Sequence, residues 1–141
     1  MLEILEKFPN SRDGLCEERS PKTRLYNCIA FAMEDRERNW WPKRPCYWPR
    51  GVRAESSIAA FAALFTSYGY HRCPSPDLEP GYAKIALYAR GVRPTHAARQ
   101  LSSGNWASKI GGLEDIEHTL EVLEGEKYGR VVRIFRKRIA D

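Results

Sequence analysis

The side chains able to do covalent chemistry are few: cysteines at positions 16, 28, 46 and 73 and histidines at 71, 96 and 118. Cys28 stands out among them. It opens the apolar run Cys28-Ile29-Ala30-Phe31-Ala32-Met33, in which good helix formers follow Asn27, a residue suited to N-capping. The pattern predicts a helix over residues 28–38 with the thiol in its first turn. Free backbone N–H groups and the helix dipole favour a thiolate there, so this is where a nucleophile belongs. His96, after Pro94-Thr95, is expected to open a strand, from which an imidazole can reach a helix N-terminus packed on the sheet and act as its base. Each residue also has a plainer reading. Cys28 can be a small buried residue at the start of a core helix, and His96 a hydrogen-bonded structural histidine.

Spacing argues against a metal. Zinc is usually held by two close pairs of ligands, whereas successive cysteines here are 12, 18 and 27 residues apart and the histidines are equally scattered. Neither a metal nor any other cofactor is expected.

The elements that must position these groups follow from pattern. Residues 1–24, broken by Pro9, Asn10, Ser11, Asp13, Gly14 and Ser20-Pro21, read as an irregular surface lead-in. After the helix at 28–38 comes an aromatic loop, Trp40 to Gly51, whose three prolines Pro42, Pro45 and Pro49 forbid a helix or central strand. Ile58, Phe61, Ala62 and Phe65 form one helical face, predicting a helix over 54–68 that starts near Ser56 or Ser57 and ends before Gly69. Strands are expected at 82–89, 95–101, 106–110 and 130–136, with Ser102-Ser103-Gly104 closing a hairpin and a short helical piece near Leu120 and Leu123. Helices followed by an antiparallel sheet make an α+β layout, N-terminal helices packed on about four to five strands.

Composition sets the outer bounds. With 141 residues, 43% of them hydrophobic, the chain suits one domain with its own core. The net charge of +5 is spread over intermixed acids and bases, which excludes a polybasic tail protein. No apolar run approaches the roughly 18 to 20 residues of a membrane span, and Met1 to Lys7 lacks the form of an export signal. A cytoplasmic protein with reduced thiols is the expectation.

Tyr26-Asn27-Cys28-Ile29-Ala30 and the segment from His96 to Trp106 resemble, respectively, the helix start and the hairpin of the papain-like cysteine hydrolases of the NlpC type. The resemblance covers about residues 25–110 by order of elements. It implies a single papain-like domain over 1–141 and a peptidase or amidase that cleaves an amide through a thioester on Cys28, with His96 as general base. The family holds its imidazole with a polar residue on the next strand, usually His, Asn or Gln. That position falls here on Ser108, and Asp115 or His118, just beyond, could reach back instead. The oxyanion would lie against the Cys28 N–H, helped by the Tyr26 hydroxyl. Trp40, Trp41 and Trp48 would wall a cleft for a peptide or other amide-containing substrate, or lie as a lid on the core. Tyr-Asn-Cys-Ile-Ala, Trp-Trp-Pro, Tyr-Trp-Pro and Glu-Ser-Ser-Ile-Ala-Ala-Phe are also similar to a group of small uncharacterised bacterial domains.

Two rival functions use the same residues. A serine in the third position suits a catalytically silent papain-like domain acting as a protein-interaction or immunity module. Arg130, Arg133, Arg136, Lys137 and Arg138, with Lys43, Arg44, Arg50 and Arg53 among the loop aromatics, could instead bind nucleic acid by phosphate neutralisation and stacking. Against this, Val132, Arg133 and Ile134 alternate as on an ordinary half-exposed strand.

Overall fold

In the computed structural model, which describes residues 1–12 and 14–139, apolar side chains line both faces of one sheet. Its strands are β1 (Cys16–Ser20), β2 (His71–Cys73), β3 (Tyr82–Arg90), β4 (Arg93–Gln100), β5 (Trp106–Lys109), β6 (Asp115–His118) and β7 (Arg130–Arg138). Their spatial order is β1-β6-β5-β4-β3-β7-β2, and every neighbouring pair is antiparallel. The helices are short: α1 (Leu2–Lys7), α2 (Cys28–Ala32) and α3 (Ile58–Ser67).

Side-chain alternation divides the core in two. On the front face Ile85 and Leu87 of β3, Ala97 of β4, Ala107 of β5 and Phe135 of β7 pack against Ile29 and Phe31 of α2 and Phe61, Leu64 and Phe65 of α3. On the back face Ala86, Tyr88, Ala98, Trp106, Ile116 and Ile134 meet Ile4 of α1, Phe8, Val122, Leu123 and Tyr128. β3 is therefore buried on both sides, which explains its nearly continuous apolar run.

This architecture corrects the expected papain-like α+β layout. The sheet has seven strands rather than four to five. Its three helices have 6, 5 and 10 residues and lie on both faces instead of forming an N-terminal layer. Residues 1–24 are not an irregular lead-in, because α1 plants Ile4 in the back core and β1 pairs with β6; Asp13 lies outside the described residues. The helix expected over 28–38 stops at Ala32, and Glu34 takes a left-handed φ of 61°. The Asp35 carboxylate then accepts from the Glu37 N–H (2.8 Å), the Arg38 Nε (2.8 Å) and the Trp40 indole (2.7 Å), so the charged run wraps around one acid instead of continuing the helix.

Elsewhere pattern and structure agree closely. The Ser57 hydroxyl caps α3 by accepting the Ala60 N–H (3.1 Å), and Gly69 follows the helix with φ 94°. A 3-10 turn spans Leu120–Leu123. Among the described residues no helix is long and apolar enough to cross a membrane.

Candidate functional site

Cys28 sits at the first turn of α2, as its sequence predicts. The Asn27 side chain caps the helix by accepting the Ala30 N–H at 3.1 Å. The thiol packs in the front core with Ala97, and the residue as a whole is 8% exposed. Burial pushes it up to about 11, although nearby backbone N–H groups of Ala97, Ile29 and Cys28 and the Lys109 charge draw it down. The expected depressed thiol is therefore a raised one, because desolvation outweighs what a five-residue helix can offer.

His96 is turned away from Cys28. Its strand neighbour Ala97 faces Cys28, so alternation turns His96 to the back face. There its ring stacks on Tyr128 (centroids 4.2 Å apart, planes 12°) and meets Tyr88 edge-on at 5.3 Å. Neither ring nitrogen has a hydrogen-bond partner, and burial, with the His118 charge, holds the imidazole well below its ordinary value.

The candidates for the third position are split by the same sheet. Ser108 and His118 share the back side and bond to each other rather than to His96. The Thr119 carbonyl can only accept, so His118 Nδ1 donates to it at 2.7 Å. Nε2 is then the acceptor of the Ser108 hydroxyl, also at 2.7 Å. This is the pattern of an activated hydroxyl, but both side chains are fully buried, and the pair acts as a cross-strand clamp between β5 and β6. Burial takes His118 down to about 4. Asp115 lies on the front side; both its oxygens lack a hydrogen-bond partner, and the Arg36 guanidinium is 3.9 Å away. Tyr26, also buried, carries Arg36 and Lys109 over its ring at 5.8 and 5.5 Å. Lys109 spends its ammonium on the carbonyls of Gly111 and Leu113 in the β5–β6 turn. Within the expected constellation the one hydrogen bond among the described residues joins Ser108 and His118.

The aromatic loop is held from beneath. The Asn27 amide does more than cap α2: its Nδ2 donates to the Trp40 carbonyl (2.8 Å) and its Oδ1 also accepts the Trp40 N–H (3.0 Å), as a neighbouring strand would. Trp40 is buried and Trp48 packs on Phe61 at 5.2 Å, its indole donating to the Val52 and Arg53 carbonyls. Of the three tryptophans expected to wall a cleft, Trp41 does so. With Tyr26, Asn27 and Cys46 it borders a cleft of about 570 Å³ closed on the other side by Arg24, Gly111 and Leu113. All four cysteines are unpaired, and no group of three or more His, Cys, Asp or Glu side chains among the described residues could hold a metal.

Fold and site together define an antiparallel-sheet domain in which the Cys28 thiol lies on one side of the sheet and the His96 and His118 imidazoles on the other. Over residues 17–136 the chain matches the family model described as Domain of unknown function (DUF7689), and it belongs to that family. No curated protein and no solved structure matches it.

Proposed function

We propose that the chain is a protein-recognition module in which Cys28 is a core residue rather than a nucleophile. The separation of Cys28 and His96 carries this reading. A thioester route needs a base within about 3 Å of the thiol, whereas the His96 ring lies in an aromatic slot behind the sheet with both nitrogens unpartnered. What supports recognition is the held aromatic loop beside an open cleft, since binding residues commonly sit on loops positioned by a rigid scaffold.

Iodoacetamide labelling tests the reading. In a variant with Cys16, Cys46 and Cys73 changed to serine, Cys28 should react at neutral pH only as fast as the fold opens, and urea should accelerate it sharply. Labelling faster than a free thiol, with an inflection below the ordinary thiol range, would restore the hydrolase and defeat the module.

A further inference from the structure

The turns that end β3 and β5 and the starts of β4, β6 and β7 lie at one end of the sheet, because neighbouring strands run antiparallel. Two depressions open along this rim. The first is the Trp41 cleft; the second, of about 1550 Å³, is bordered by the β3–β4 turn at Arg90 and Gly91 and by the segment from Glu124 to Arg130. Lys7 lines both, with Glu3 on the first and Asn10 on the second, so the N-terminal segment runs along the two as one groove. Gly129 keeps the walls of the second close. It has φ 77°, and a Cβ there would stand 2.0 Å from the Ala89 carbonyl oxygen.

Charge on this groove is unbalanced. Arg24, Lys7, Arg90, Lys127 and Arg130 line it, all exposed, and none forms an ion pair among the described residues. Two of its three carboxylates are occupied: Glu3 by Lys22 at 3.3 Å, and Glu124 by the Val131 N–H at 3.1 Å. A neutral N–H does not cancel the charge of Glu124, so Glu124 and Glu126 together stand against five cations.

We propose that this rim groove binds an extended acidic segment of a partner polypeptide, with an apolar side chain of that segment against Trp41; the assignment rests on the recognition-module reading. The lining favours a polypeptide over a nucleic acid. Three carboxylates stand in the groove, which an unbroken run of phosphates would have to pass, and Trp41 is its one half-exposed ring, whereas single-strand binding stacks successive bases on several. A peptide can place its acids opposite Lys7, Arg90 and Arg130 and leave neutral residues opposite Glu3, Glu124 and Glu126.

Fluorescence anisotropy with dye-labelled peptides of about 12 residues, which reach about 40 Å when extended, tests this. Half the residues are glutamate, and leucine, phenylalanine or tryptophan is placed at either end. At least one such peptide should bind, weaken with added salt, and lose about tenfold in affinity to the Arg90→Glu/Arg130→Glu variant, as expected when steering charges are reversed. Arg138→Glu, at the far end of β7, should leave binding unchanged. Trp41→Phe should remove the fluorescence change seen with the unlabelled peptide. The groove assignment is overturned if every acidic peptide binds more weakly than about 1 mM, if lysine peptides bind equally well, or if a uridine oligonucleotide binds more tightly. Any of these with an unreactive Cys28 removes the groove alone, whereas a reactive Cys28 removes the module reading itself.

Discussion

At the scale of single residues, burial decides what the titratable groups can do. His96 and His118 are held as neutral rings, both below their ordinary value, His118 falling from 6.5 to about 4. The sign follows from linkage: a histidine depressed by folding contributes stability that is complete above the unfolded value and is lost as pH falls toward the folded one. For His118, a fall from 6.5 to about 4 corresponds to roughly 3 kcal/mol at full loss. The urea midpoint should therefore hold near pH 7 and drop steadily between pH 6.5 and 4, and a flat profile over that window would contradict the burial of these rings. His96 allows a sharper test. Its nitrogens bond to nothing and its ring stacks on Tyr128 with Tyr88 edge-on, so His96→Phe keeps the stack and removes two unpartnered buried atoms. The variant should melt at the same temperature or higher, by up to about 1 kcal/mol in stability, whereas a hydrogen-bonded structural histidine would lose stability. Asn27 shows what sequence reveals at this scale. Its place before an apolar run marks a helix cap, but its grip on Trp40, 13 residues away, leaves no local signature.

At the scale of elements, legibility follows apolar content. α3, β3, β4, β5 and β7 are readable from their apolar residues and bounding turns, while β1, β2 and β6, spelled CEERS, HRC and DIEH, are mostly polar in type, although β6 is largely buried, and exist through pairing with neighbours. Propensity extends the helix to residue 38 because good helix formers continue past Ala32, and the Asp35 grip that follows its end depends on Trp40, beyond the window that propensity sees. The expected dyad is parted by the sheet for a reason of period: the strand lies within two residues of its expected place, but the face His96 takes depends on register with β3. A buried lysine at the middle of a predicted strand is equally hard to foresee. Lys84 of β3 donates to the carbonyls of Ser75 and Asp77 at 2.8 and 2.6 Å and pairs with Glu79 at 2.8 Å, while Arg136 of β7 takes the other Glu79 oxygen at 2.7 Å. These bonds fold the loop over residues 74–80 onto the sheet. Lys84→Met should cost roughly 2 kcal/mol, less than a fully buried pair because Glu79 is 34% exposed. Limited proteolysis should then cut first within 74–80, and a variant with unchanged cleavage would show that the loop is held by something else.

For the whole molecule the sheet is both scaffold and divider. Its outer strands are guarded against pairing with other chains. β1 is charged and bulges between Glu18 and Ser20, and β2 has only three residues before Pro74. Between those edges the two cores share the strands but little else, and the four tryptophans are divided unevenly between them: Trp40, Trp41 and Trp48 in front, Trp106 alone behind. The chain therefore carries an optical label on each side of its own partition. With the three front indoles changed to phenylalanine or tyrosine, emission from Trp106 reports the back core by itself, and in a Trp106→Phe protein the remaining emission reports the front. Both cores are built on the same central strands, so the two signals should trace one denaturation curve with one midpoint. If the curves part, the sheet joins two halves that melt separately, and the indole whose curve falls first identifies the weaker half.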